Sequence, residues 1–288
     1  ANSDAMWRAG ITERLKLPPD GVMVRDEGGN PTGVFVDSAM RLIDSIIPPP
    51  TVDELKAKIL KAQDQIVRNG LTAVHDAGLT SREIEAFRAL DREGKLKIRV
   101  YGMALLPAGK EAELAGKPPE QSASDSRFEL RTIKLFADGA MGSRGALLFE
   151  AYADDPQNTG LRVIDPEVLR STTIAALRNG WQVATHAIGD RGNAIVLDAY
   201  EKALKEVSSA HDPRLRIEHA QLVRKRDVAR FAALGVIASM QPSHASSDLR
   251  WAEARIGSER AKGAYAWRWF LDAGVPLAFG SDFPVEPV

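Results

Sequence analysis

An α/β fold, a (β/α)8 TIM-type barrel with about seven of its eight strands visible, is predicted by two features of this sequence. Short apolar runs alternate with helical stretches from Gly70 onward. Four of those runs end on a residue able to bind a metal: Lys134 in RTIKLFADG, His186 in WQVATHAIGD, His219 in LRIEHAQL and Asp282 in VPLAFGSDFP. In a barrel of parallel strands the carboxyl ends all open onto one face, where the connecting loops build the active site. Residues far apart in sequence thereby become neighbours.

The elements follow in chain order. GVMVRD and TGVFVD alternate as a hairpin, and EGGNP between them is turn chemistry. Thr51 with Glu54 is a capping-box signature, and Val52, Leu55, Ile59, Ala62 and Ile66 recur at helical spacing, so a helix runs to about Asn69. Strands are expected near 71–75, 97–105, 131–136, 181–186, 215–220, 235–240 and 275–280. Asp165, Pro166 and Gly180 mark the cap, first turn and exit of a helix. Ser258 is expected to cap another, with Trp267, Phe270 and Leu271 on its apolar side.

A closed barrel needs an eighth strand. Nothing in residues 1–50 resembles an inward-facing parallel strand with a ligand loop. The first strand is therefore expected upstream of Ala1, with residues 1–50 a hairpin-containing insertion and 51–288 the βα repeats of one barrel domain. The absence of a starting Met and the ending at Pro-Val after a strand both read as cuts through a longer protein. An open doubly wound sheet is the alternative, since rhythm alone does not prove closure. Two connections exceed simple turns: GAMGSRGALLFEAYADDPQNTG, and QPSHASSDLRWAEARIG. Gly139, Gly142 and Gly145 in the first permit positive φ and close approach to a ligand, giving a lid or substrate loop, with a partly helical packing segment as the competing reading.

Composition narrows the function. A chain of 288 residues, 44% hydrophobic and 27% charged, describes a globular protein. A formal net charge of −1 with dispersed Lys and Arg argues against nucleic acid or an anionic membrane and for a small-molecule ligand. There are no cysteines, so metal ligands would be nitrogen and oxygen. No apolar stretch reaches membrane-span length and nothing near Ala1 reads as a signal peptide, so a cytoplasmic location is expected. A homo-oligomer is compatible with all of this.

Alternation along RTIKLF puts Thr132, Lys134 and Phe136 on one face. Lys134 has three readings: a lysine satisfied by an interior carboxylate, an aldolase-like Schiff base, or a carbamylated lysine able to bridge two cations. An ammonium would repel a divalent metal, so the nearby histidines favour the third. His186 and His219, each read alone, suit a hydrogen-bonded core; jointly placed, they suit a site for zinc, manganese or iron. Alternation points Glu218 away from His219, to pack outside as an ion-pair partner. Asp282 either caps the next helix or takes a proton from metal-bound hydroxide and delivers it to a leaving amine. His75, Arg144 and His244 are candidate substrate contacts, with loop packing as the competing role. Asp76 orients a neighbour or caps a turn, and His211 receives no role.

KLFADGAMGSRGALL, THAIGDRGNAIVLDAYE, RIEHAQLV, QPSHA and GSDFPVEP, with ANSDAM and VHDAG, resemble blocks of the amidohydrolase superfamily, within it the branch related to N-substituted formamide deformylases. The resemblance implies carbamylated Lys134 as bridging ligand, His186 and His219 on one metal, and Asp282 as ligand of the other and proton shuttle. The family opens its barrel with a His-x-His pair and carries a flanking β-sandwich, and this sequence has neither. Alone, the chain is expected to bind metal poorly and be inactive. The expected function is hydrolysis of a carbon–nitrogen bond of an amide-like small molecule by metal-bound hydroxide, with one or two zinc ions or manganese or iron. A Schiff-base lyase or aldolase using Lys134, or an inactive ligand-binding barrel, are the alternatives.

Overall fold

The hydrophobic period changes along the chain, from alternation in its first segment to helical spacing after Pro50, and the architecture changes with it. The computed structural model describes residues 1–13, 15–17, 21–105, 109–210 and 212–288. A short helix α1 (Ser3–Arg8), capped by Asn2, precedes β1 (Gly21–Arg25) and β2 (Pro31–Asp37), which pair antiparallel as the expected hairpin. One turn, α2 (Arg41–Asp44), leads to α3 (Val52–Arg68). There Glu54 N–H donates to the Thr51 hydroxyl and Thr51 N–H donates to the Glu54 carboxylate, so two orphan donors of the first turn are satisfied reciprocally.

Seven parallel strands follow, adjacent in sequence order: β3 (Ala73–Leu79), β4 (Arg99–Ala104), β5 (Phe128–Phe136), β6 (Gln182–Ala187), β7 (Arg216–His219), β8 (Ile237–Met240) and β9 (Leu277–Phe279). Crossover helices α4 (Ser81–Arg92), α5 (Lys110–Ala115), α6 (Pro166–Arg178), α7 (Asp190–Glu206) and α8 (Lys225–Leu234) join them in turn. Between β8 and β9 lie α9 (Pro242–Asp248), α10 (Ala252–Ala261) and α11 (Trp267–Asp272). The strands form an open, incomplete barrel, because among the described residues β3 pairs only with β4 and β9 only with β8.

A flat sheet is ruled out by one contact. Strands β3 and β7 are four places apart in the sheet, which at about 4.8 Å per strand would separate them by roughly 19 Å. Yet Arg216 of β7 lies 2.7 Å from His75 of β3. Curling brings the two together, and the helices pack outside the curl. Phe87 of α4 stacks on Phe128, and Phe231 of α8 meets Phe270 of α11 edge to face. Each such fully buried apolar side chain is worth about 1.5–3 kcal/mol.

Several expectations shift. β3 starts at Ala73 and runs to Leu79, and β5 already begins at Phe128. Ser258 opens the second of two helical segments that α10 joins across a kink at Gly257 (φ 75°), and Trp267 opens a separate helix. The break has a cause, since Val223 N–H donates to Gly263 O and Tyr265 N–H to Gln221 O, bonds that a continuous helix would forbid. Phe270 is buried as expected, but Leu271 is exposed. The connection after β8, read as a long loop, is mostly α9 and α10.

The connection after β5 is largely packed. Met141, Ala146, Leu148 and Tyr152 are buried with Ile188, Leu222 and Ile256 in a second apolar cluster. None of Gly139, Gly142 and Gly145 adopts positive φ; Arg144 does, at 59°. Gly139 and Gly145 serve close approach, but to protein: a Cβ on either would stand 2.6 and 2.5 Å from the Asp37 carboxylate. Gly160 combines φ of 86° with a position where a Cβ would collide with the Ala146 carbonyl. Gly160→Ala is expected to cost more than about 2 kcal/mol, whereas Gly70→Ala, with φ of 78° and open space, costs about 1 kcal/mol. Urea unfolding of the two variants checks this, and equal losses would mean that the collision is relieved by loop movement.

Candidate active site

Lys134 is two residues from the end of β5, and its register partner is Ala184; Phe136 aligns with His186 and His186 with Glu218. Lys134 is 3% exposed, and its Nζ lies 3.9 Å from the centroid of the Phe136 ring, the residue that alternation puts on the same face. Burial pushes its amine down to about 8, opposed by Glu218 and Asp282 and assisted by Arg216. A fraction of neutral amine therefore exists near neutral pH.

His186 and His219 meet edge to face with ring centroids 4.6 Å apart. Burial, then the neighbouring His219 and Lys134, holds His186 well below the ordinary imidazole range; burial and Lys134 lower His219 as well. Both are neutral at pH 7. His219 Nδ1 lies 2.8 Å from Gln241 Oε1, a carbonyl oxygen that only accepts, so Nδ1 carries the proton and Nε2 keeps its lone pair. His186 Nε2 faces Gly139 O at 3.5 Å and Asp138 Oδ1 at 3.6 Å, contacts at the limit of hydrogen bonding. Asp282 is exposed after β9, and its charge acts on both Lys134 and His219. The four residues thus share one end of the barrel.

Backbone strain marks the same place. His219 has φ of 74° and Asp282 of 56°, in the left-handed region that non-glycine residues avoid. At His219 this has a geometric effect. Strict alternation would turn His219 outward if Glu218 faces in, but the left-handed backbone returns its ring to the mouth.

Glu218 therefore does not pack outside. It is buried in the barrel interior, where its carboxylate accepts from Arg216 Nε at 2.8 Å and Nη2 at 3.1 Å. The ion-pair role is as expected; the face is not. Arg216, Gln241 and Asp138 were not singled out in the sequence. Asp138 accepts from the N–H groups of Leu147, Ile188 and Gly189 at 2.8–2.9 Å and so ties the β5 connection to the start of α7. Burial nevertheless pushes its carboxyl up to about 7. An acid directly after a strand and before Gly139, and two opposite charges two apart in an apolar strand, were the available signals.

The candidate substrate contacts separate. His244, on α9, is buried with Nε2 lacking a partner among the described residues, its ring 6.1 Å from His219. It lines a narrow cleft with His219, Gln221, Met240, Tyr265 and Trp267. His75 Nδ1 faces Arg216, and Arg144 is held by Asp154 at 2.9 Å. His211 lies outside the described residues.

Two neutral imidazoles with open nitrogens beside a lysine of lowered pKa are a donor set that suits a borderline divalent cation. Among the described residues no group of three or more His, Cys, Asp or Glu is placed to hold a metal ion. No helix among them is long and apolar enough to cross a membrane.

The whole chain, residues 1–288, matches the amidohydrolase family. It is 35% identical over 300 residues to the protein LONG AFTER FAR-RED 3 of Arabidopsis thaliana, covering 100% of this chain and 51% of that one. It is also 35% identical over 292 residues to YtcJ of Bacillus subtilis, covering 100% and 54%. The chain spans about half the length of the curated relatives it matches. Among solved structures, an uncharacterized metal-dependent hydrolase from Pyrococcus furiosus is similar with a TM-score of 0.77 and 32% identity, covering 99% and 56%.

Asp76, on β3 beside His75, provides a pH test. Burial, with Glu83 adding to it, pushes its carboxyl from 3.8 up to about 6. The folded chain keeps a proton that the unfolded chain releases, so stability falls as pH rises from about 4 through about 6, by about 2 kcal/mol. Asp76→Asn is expected to flatten that slope in urea titrations at pH 4, 5, 6 and 7; an unchanged slope would refute the assignment.

Proposed function

This chain belongs to the amidohydrolase family, and from that premise we propose that it provides the catalytic barrel of a metal-dependent hydrolase that cleaves a carbon–nitrogen bond in an amide-like small molecule. The observation that carries the reading is the meeting of Lys134, His186, His219 and Asp282 at one barrel end, with the two imidazoles neutral and 4.6 Å apart. The sequence blocks support the finer placement, a branch related to N-substituted formamide deformylases.

His186 and His219 would hold the cation, and Lys134, once carbamylated, would bridge to a second. Zinc suits nitrogen and oxygen donors of this kind, and manganese or iron are compatible. Bound metal supplies Lewis acidity, which polarises a carbonyl and makes water a nucleophile at neutral pH. The remaining work falls to side chains. Asp282 accepts the proton that water loses as its oxygen bonds to carbon, then gives it to the nitrogen as the carbon–nitrogen bond breaks. Gln241 keeps His219 in the tautomer that leaves Nε2 open. His244, with its unpartnered Nε2, is placed to contact a substrate oxygen, while His75 and Arg144 are further candidates whose present partners are Arg216 and Asp154.

With zinc or manganese supplied, the full-length protein is expected to hydrolyse N-substituted formamides and related amides, and Asp282→Asn and His219→Ala are each expected to lower its kcat at least about 100-fold. Activity unchanged by both substitutions would defeat the mechanism. One observation favours a second reading: a buried lysine with its amine at about 8 is suited to a Schiff base. Borohydride with a carbonyl substrate separates the two, since the hydrolase is expected to show no trapped adduct at Lys134 and the lyase a covalent one. Elemental analysis of the full-length protein tests a third, an inactive barrel, which would contain no stoichiometric metal even there.

A further inference from the structure

Arg216 sends its guanidinium across the barrel interior from β7. Nη1 lies 2.7 Å from His75 Nδ1 on β3; Nε and Nη2 reach the two Glu218 oxygens; and Nη2 lies 2.9 Å from Ser239 Oγ on β8. One side chain therefore ties the first strand of the sheet to the fifth and sixth. A guanidinium has donors and no acceptor. The His75 nitrogen facing it must accept, which leaves the imidazole proton on Nε2.

The surroundings keep it there. Burial and the Arg216 charge both lower the His75 pKa, against a smaller pull from Glu218, so the ring stays neutral. The Tyr101 ring packs on it with centroids 4.9 Å apart, and the imidazole is otherwise exposed, leaving Nε2–H free to donate. Both Glu218 oxygens are held by Arg216, at 2.8 Å from Nε and 3.1 Å from Nη2. A buried ion pair is weak evidence for stability, since apolar side chains of equal volume often serve as well. Its value here is orientation.

We propose that Arg216 is a positioning residue: it fixes His75 as the Nε2–H tautomer, a neutral donor for a carbonyl oxygen of the substrate, and clamps the Glu218 carboxylate on the Lys134 side of the barrel. Only the identity of the acceptor rests on the hydrolase reading; the tautomer does not. A neutral imidazole backed by a positive group acts as an electrophile toward a carbonyl, as in other enzymes whose histidine is kept unprotonated. Lysine cannot replace the guanidinium, because a single ammonium does not span three partners in fixed directions.

The test uses long-range proton–nitrogen NMR of the 15N-labelled chain between pH 6 and 8, with the His75 signals assigned by their loss in His75→Gln. The wild type is expected to show a single Nε2–H tautomer. Arg216→Lys and Arg216→Met are expected to show mixed tautomers and easier protonation. Should Arg216→Met leave Glu218 unpaired and fail to fold, Arg216→Met with Glu218→Gln removes both charges and supplies the folded variant. In the metal-loaded enzyme the same variants are expected to lose about 10–100-fold in kcat with little change in KM. An Nδ1–H tautomer in the wild type, or an unchanged single tautomer in the folded double variant, would overturn the proposal. Absence of hydrolysis in the full-length wild type would remove the hydrolase reading, and the spectra would still decide the role of Arg216.

Discussion

A parallel strand delivers a side chain to the barrel interior at every second position, and the mouth of this barrel depends on where that rule holds and where it is broken. It holds along β5, which aims Thr132, Lys134 and Phe136 inward, and along β6, which aims Gln182, Ala184 and His186 the same way. Thr132 and Tyr101 both donate to Gln182 Oε1, at 2.7 and 3.0 Å, forming a polar floor below the lysine. On β7 it holds for Arg216 and Glu218. It is broken at His219, where left-handed backbone lets two consecutive residues, Glu218 and His219, both face inward. The strained conformation is maintained by what surrounds it: Nδ1 is held by Gln241, and the ring is wedged against His186.

The surroundings are rigid for an identifiable reason. Asp138, beyond the end of β5, binds three backbone N–H groups and so fixes the following connection to the head of α7. Arg260 of α10 donates to the carbonyls of Glu150 and Ala151, and Arg255 pairs with Asp154, joining the same connection to the segment after β8. The two long connections therefore form one packed unit over one side of the mouth. The worth of these polar contacts lies in leaving few buried donors unpaired.

Membership of the amidohydrolase family and the similarity to a metal-dependent hydrolase agree with this geometry without supplying its chemistry. The chain itself contributes two neutral imidazoles, a lysine of lowered pKa and an accessible carboxylate. Those four were legible in the sequence because each lies at or near the end of an apolar run, and a run ending marks the active face of a barrel. Asp138 and Arg216 were not, because the local signals that mark them do not name their long-range partners, Ile188 and His75, which lie 50 and 141 residues away. Glu218 was legible as an ion-pair partner and misplaced as to face, since alternation was extended through a residue where the backbone abandons it.

Sequence alone determined the βα rhythm, the Thr51 capping box, the hairpin and the identity of the residues at the strand ends, because periodicity and capping are set by neighbours a few positions away. Tertiary structure decided the rest: that the sheet curls, which face Glu218 occupies, which nitrogen of His75 and His219 carries the proton, and that Trp267 opens a helix of its own. Each of those depends on groups distant along the chain coming within hydrogen-bond reach, and only the folded packing brings them there.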